Sequence, residues 1–79
     1  MSDKEQVSLS KMDAGQTGTV VDIRGGQNVT SRLNALNIRI GKEITKISSM
    51  LMRGPVTIEV GNSRVAIGYG MANRIIVEI

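Results

Sequence analysis

The chain has no cysteine, histidine, phenylalanine or tryptophan, and a single proline. Without Cys there are no disulfides, which suits a reducing compartment. Without His there is no ordinary structural zinc site and no imidazole for proton transfer. The carboxylates Asp3, Asp13, Asp22, Glu43, Glu59 and Glu78 are scattered, with no repeated ligand spacing and no pair on one expected face. With no thiol nucleophile either, the chain is expected to be no enzyme, with no catalytic residue and no cofactor. Tyr69 is the only aromatic residue. Single-strand nucleic-acid binders stack bases on aromatic platforms, and proline-rich peptides need aromatic walls, so both functions lack their usual equipment.

What is present is aliphatic. The 79 residues allow one domain, and the apolar 41% is almost entirely Val, Ile, Leu, Met and Ala. A core built from these alone gives a stability of roughly 3–5 kcal/mol. The N-terminal MSDKEQVS has no apolar stretch of the secretory kind, and no segment is long and apolar enough to span a bilayer. A soluble cytoplasmic protein with no direct membrane insertion is expected. The net charge of +3 is mild and does not demand an acidic partner.

Residues 1–8 look like a flexible arm, leaving 9–79 as the domain. Leu9 and Met12 read as apolar anchors before an Asp13-Ala14-Gly15 turn. TVVDIR alternates as a strand, with Thr19, Val21 and Ile23 assigned to one face. After Gly25-Gly26, the spacing of Val29, Leu33 and Leu36 predicts a short helix, with Asn28 able to cap it. Asn37 can take the left-handed conformation at its end and let Ile38 fold back. From Glu43 the pattern is β throughout. Ile44 and Ile47 break alternation and hint at a bulge, Val56, Ile58 and Val60 share a face, and Gly61-Asn62 makes a hairpin. About five strands and one short helix after the first long strand suggest a mainly β, twisted antiparallel barrel.

Four constellations can be weighed against simpler explanations. Arg24-Gly25-Gly26 between a strand and a helix could cradle phosphate, but the dinucleotide and Walker patterns are missing, so a sharp turn suffices. Met50-x-Met52 with Met12 and Met71 has soft thioether character, yet core filling explains it, and no metal is expected. Arg32, Arg39, Lys42, Lys46 and Arg53 could line one side as a nucleic-acid face, against a merely solvated surface. Met50, Leu51 and Met52 beside Arg53 sit at a turn marked by Gly54-Pro55. They form either a lid on the barrel or an apolar contact patch with a charged rim. Tyr69 is the second candidate contact. Met71 belongs with it or fills the core.

The order and spacing of Arg24-Gly25-Gly26, Arg32-Leu33-x-x-Leu36, Ile38-x-x-Gly41-x-x-Ile44, Gly54-Pro55 and Ala66-Ile67-Gly68-x-Gly70-Met71-Ala72 resemble the ferrous iron transport protein A family (FeoA). The resemblance runs from Leu9 to Ile79. Asn37 stands where that family usually has Gly, and Ile40 where Pro is common. The resemblance implies an SH3-like barrel and an accessory or regulatory protein of ferrous iron uptake. Its implied partner is the ferrous iron permease with its GTP-binding domain, which would hold the chain at the inner face of the membrane. Met50, Leu51, Met52, Arg53, Tyr69 and Met71 are the expected partner-binding residues. The alternative is a free-standing basic barrel that binds nucleic acid, although no nucleic-acid partner is expected. Similar domains end iron-dependent repressors, but DNA-binding helices are missing here.

Overall fold

A computed structural model describes residues 5–49 and 54–79, with backbone alone for Ser48 and Ser49. Six strands form one antiparallel sheet: β1 (Gln6–Ser8), β2 (Thr17–Ile23), β3 (Glu43–Ser49), β4 (Val56–Val60), β5 (Ser63–Ile67) and β6 (Ile75–Glu78). Their order across the sheet is β1-β6-β2-β3-β4-β5. Helix α1 (Gly26–Ala35) links β2 to β3, and the single turn α2 (Tyr69–Ala72) links β5 to β6.

The terminal arm expected to reach Ser8 gives way to strand earlier. Gln6, Val7 and Ser8 pair with Glu78, Val77 and Ile76, and the amide of Ile79 donates to the carbonyl of Glu5 at 2.9 Å. Val7 is the reason, since it packs on the core beside its partner Val77.

Strand β2 runs in the opposite phase to the one expected. Gly18 and Val20 point inward while Thr19 and Val21 are only half-buried. Val20 pairs with Val77 and Asp22 with Ile76, so Val21 is an extra residue without a partner on β6. A bulge resets the side-chain alternation, which returns Ile23 to the core. A second bulge falls in β3, where Lys46 pairs with Ile58 and Ser48 with Thr57, skipping Ile47. That bulge is the one the Ile44–Ile47 spacing hinted at. Bulges bend strands and tighten twist, which lets one sheet wrap around its own core.

Inside lie Val20, Ile44, Val56, Ile58, Val60, Ile67, Ile75 and Val77 from the strands, with Leu9, Met12, Leu33, Ile38 and Ala72 closing the ends. All are aliphatic or Met. The Gly61-Asn62 turn joins Val60 to its partner Ser63, with Gly61 at φ 60°. Gly18 leaves room for the end of the chain: a Cβ there would lie 2.9 Å from Ile79 Cγ2 and 3.1 Å from the Glu78 carbonyl. Among the described residues no helix is long and apolar enough to cross a membrane.

Candidate functional site

Helix α1 does not start where Asn28 could cap it. It begins at Gly26, after Gly25 at φ 111°, with no side-chain cap. Gly25 is required there twice over. Its φ lies in the left-handed region, and a Cβ would lie 2.6 Å from the Arg74 guanidinium and 2.9 Å from Val29 Cγ2. The helix is thus tucked against the β6 entry, where the Arg24 amide donates to the Arg74 carbonyl at 2.7 Å.

At the other end Asn37, at φ 69°, takes the left-handed conformation expected of it. The amide of Asn37 donates to the Asn34 carbonyl at 2.9 Å, and that of Ile38 to Leu33 at 2.9 Å. This paired closure folds the buried Ile38 back under the buried Leu33. Leu36 faces out at 41% exposure, leaving only Leu33 and the half-buried Val29 of its expected triplet on the core. The chain then turns at Arg39–Lys42, where the Lys42 amide donates to the Arg39 carbonyl at 3.0 Å. Gly41 and Lys42 bond to the backbone of Val20 at 2.7 and 2.9 Å, which fixes the turn to β2. Ile40 sits in that turn, 65% exposed.

The α2 turn is anchored by Ala72, fully buried, while Tyr69 is 36% exposed. Met71 is half-buried on the core and joins Asn28, Val29 and Arg32 around a cavity of about 160 Å³. Small-molecule pockets run to about 300–1,000 Å³, so this groove suits a side chain better than a cofactor. Of the expected contact residues, Tyr69 and Met71 therefore share one turn beside α1. Met50, Leu51, Met52 and Arg53 lie outside the described residues.

The expected basic row is not one face. Lys46 is 1% exposed and points into the barrel from β3. Its Nζ donates to the carbonyl of Ser10 at 3.0 Å and to that of Met12. The backbone closes the same link, with Gly15 donating to the Lys46 carbonyl at 2.6 Å and Lys46 to the Gln16 carbonyl at 2.9 Å. Burial pushes the ammonium below the usual lysine range, and the nearby Asp13 carboxylate partly offsets that. Lys46 is a pin for the segment between β1 and β2. The alternation Ile44, Lys46 before the bulge was the available signal, since it puts both side chains on the inner face.

Among the described residues no three of His, Cys, Asp and Glu are grouped to hold a metal ion. Glu43 and Glu59 share a shallow cavity of about 280 Å³ with Lys42, Thr45 and Gly61. Arg24 approaches Asp22 at 3.6 Å on open surface, a contact worth little.

The FeoA domain profile matches residues 7–79. The chain belongs to the FeoA family. It is 39% identical to a crystallised iron uptake regulatory protein (FeoA), covering 95% of this chain and 99% of that one at a TM-score of 0.86. The FeoA of Stenotrophomonas maltophilia, crystallised with zinc, is a procaryotic SH3 domain protein put forward as a bacterial ferrous iron transport activating factor. It shares 21% identity over 90% of this chain and 88% of its own, at a TM-score of 0.75. A manganese-dependent transcriptional repressor carries the same fold, at 18% identity and a TM-score of 0.84, over 98% of this chain and 43% of its own. Comparison with curated proteins finds no match. The fold is accordingly mainly β and SH3-like, with six strands where about five were expected.

Proposed function

We propose that the chain is a small accessory and regulatory protein of ferrous iron uptake. It acts by protein contact with the ferrous iron permease and its GTP-binding domain, on the cytoplasmic side of the membrane. Family membership across residues 7–79 carries this reading. The 39% identity to an iron uptake regulatory protein supports it. So does the α2 turn, which carries the exposed Tyr69 and the flexible thioether of Met71, the latter bordering an open groove with Asn28, Val29 and Arg32. Met50, Leu51, Met52 and Arg53 complete the proposed contact set. The chain works without carrying iron and without catalysing a reaction itself.

Calorimetric titration of the chain into the soluble GTP-binding domain of the permease tests this, with GTP hydrolysis rates measured alongside. Saturable binding that weakens in Tyr69→Ala and Met71→Ser is the expected result. No heat of binding, together with unchanged hydrolysis, would remove the permease domain as the partner.

A further inference from the structure

The surface next to Met71 continues along α1 in a way the expected contact set does not cover. Arg32 lines the groove with Val29 and Met71, and Leu36 follows it by one helical turn on the same side. Ile40 then stands in the turn pinned to Val20. Leu36 and Ile40 are two of the three large hydrophobic residues that the described surface exposes, Tyr69 being the third.

Cations predominate along the two stretches of chain that carry these residues, and the acids lie at their edges, Asp22 beside Arg24 and Glu43 beside Lys42. Between Ile23 and Lys42 the sequence has Arg24, Arg32, Arg39 and Lys42 and not one Asp or Glu. The stretch bearing Met71, from Val60 to Val77, has Arg64 and Arg74 and again no acid. Arg32 and Arg39 are exposed. Their forked guanidinium groups match carboxylates in a bidentate way that a flexible ammonium cannot.

Rigidity is the third element. The paired hydrogen bonds at Asn37 and Ile38 fix Leu36, and those from Gly41 and to Lys42 fix Ile40. Apolar anchors already held in place lose little entropy when covered. We infer that the strip from the Met71–Val29 groove over Leu36 to Ile40 docks an acidic, aliphatic-rich segment of a partner protein.

Two other anionic surfaces fit less well. A nucleic-acid backbone would meet the cations but leave Leu36 and Ile40 covered by nothing apolar, and aliphatic side chains do not stack bases. A lipid headgroup layer would meet the cations too, but it presents no shaped protrusion to fill a groove bounded by Asn28, Val29, Arg32 and Met71. An acidic peptide with leucines at helical spacing supplies both the protrusion and the carboxylates. The inference rests on the protein-contact reading above, though not on the permease as the particular partner.

The test is an amide-shift titration of the isotope-labelled chain with four probes. These are an amphipathic peptide of leucines and glutamates, the same peptide with lysines for glutamates, phosphatidylserine vesicles, and a short single-stranded DNA. The expected result is shifts at Val29, Arg32, Leu36, Ile40 and Met71 with the acidic peptide alone, fading as salt rises. Ile40→Ser and Arg39→Glu, both at exposed positions, should each weaken that binding about tenfold, or about 1.4 kcal/mol.

Equal response to both peptides, shifts produced only by vesicles or DNA, or unchanged binding in both variants would overturn the inference. A permease domain that fails to bind while the acidic peptide moves the strip would remove the permease and leave the strip. A permease domain that binds elsewhere while the strip ignores the acidic peptide would do the reverse.

Discussion

Lys46 and Ile40 each break the usual sorting of side chains, and in opposite directions. A lysine lies inside the barrel at 1% exposure, and an isoleucine lies outside at 65%. The lysine is explained entirely from within. Its stem packs opposite Ile58 on β4, and its ammonium donates to the carbonyls of Ser10 and Met12. The isoleucine has no such internal account, because the turn that carries it is held by backbone bonds to Val20. Removing the side chain of Ile40 would leave those bonds in place. A buried polar group that satisfies its neighbours belongs to the fold, whereas an exposed apolar group on a fixed turn is available to a partner.

The contrast breaks most sharply at Lys46. Lys46→Met keeps much of the stem volume but takes the ammonium donor from the buried Met12 carbonyl and the part-buried Ser10 carbonyl. The buried one alone costs about 1–3 kcal/mol when orphaned, a large share of a stability of roughly 3–5 kcal/mol. Chemical denaturation should show a midpoint far below wild type, and hydrogen exchange should show Leu9–Gln16 opening first. Retention of full stability would mean that Lys46 pins nothing.

Gly25→Ala ranks next, combining a φ of 111° with a Cβ placed 2.9 Å from Val29 Cγ2. A loss of about 1–3 kcal/mol is expected in the same denaturation experiment. Asn37→Ala puts an ordinary side chain into the left-handed conformation and should cost about 1 kcal/mol, with α1 fraying at Leu36.

The pH dependence sharpens the comparison from the lysine side. Because burial lowers the folded pKa of Lys46 more than Asp13 restores it, the unfolded chain binds more protons just below the ordinary lysine value. Stability contributed by this group therefore rises with pH as that value is approached, and falls back below the folded pKa. The difference between wild type and Lys46→Met should widen over that alkaline range. A difference independent of pH would mean that the ammonium is as well solvated in the fold as outside it.

The smallest effect on stability belongs to Ile40→Ser. It should fall within about 0.5 kcal/mol of wild type, as surface substitutions do, while partner binding falls about tenfold. A variant that unfolded would return Ile40 to the core side of the comparison.

Much of this was legible in the sequence. The strict alternation of Val56, Ile58 and Val60 gave β4, the Gly61-Asn62 turn gave the hairpin, and Asn37 marked the end of α1. The β2 face was not legible. Alternation is reset by the extra residue Val21, and nothing in TVVDIR says which residue β6 will skip. The Asn28 cap failed because Gly25 and the approach of Arg74 start the helix earlier. Lys46 was hidden by its charge: a lysine reads as surface unless carbonyls from a distant segment are known to meet it. Leu36 was hidden by the opposite assumption, that an apolar residue at helical spacing is core. The turn bearing Tyr69 and Met71 stood out in the sequence as a candidate contact, but the place of Met71 beside Val29 and Arg32 is set by packing between segments far apart in the chain.

The most direct measurement is an amide-shift titration of the labelled chain with the soluble GTP-binding domain of the ferrous iron permease. The expected result is shifts at Arg32, Leu36, Ile40, Tyr69 and Met71, with Glu43, Thr45 and Glu59 around the other cavity unmoved. Shifts confined to Glu43, Thr45 and Glu59 would contradict the claim that the exposed aliphatic strip is the working surface, and none at all, with both proteins folded, would remove the permease domain as its partner.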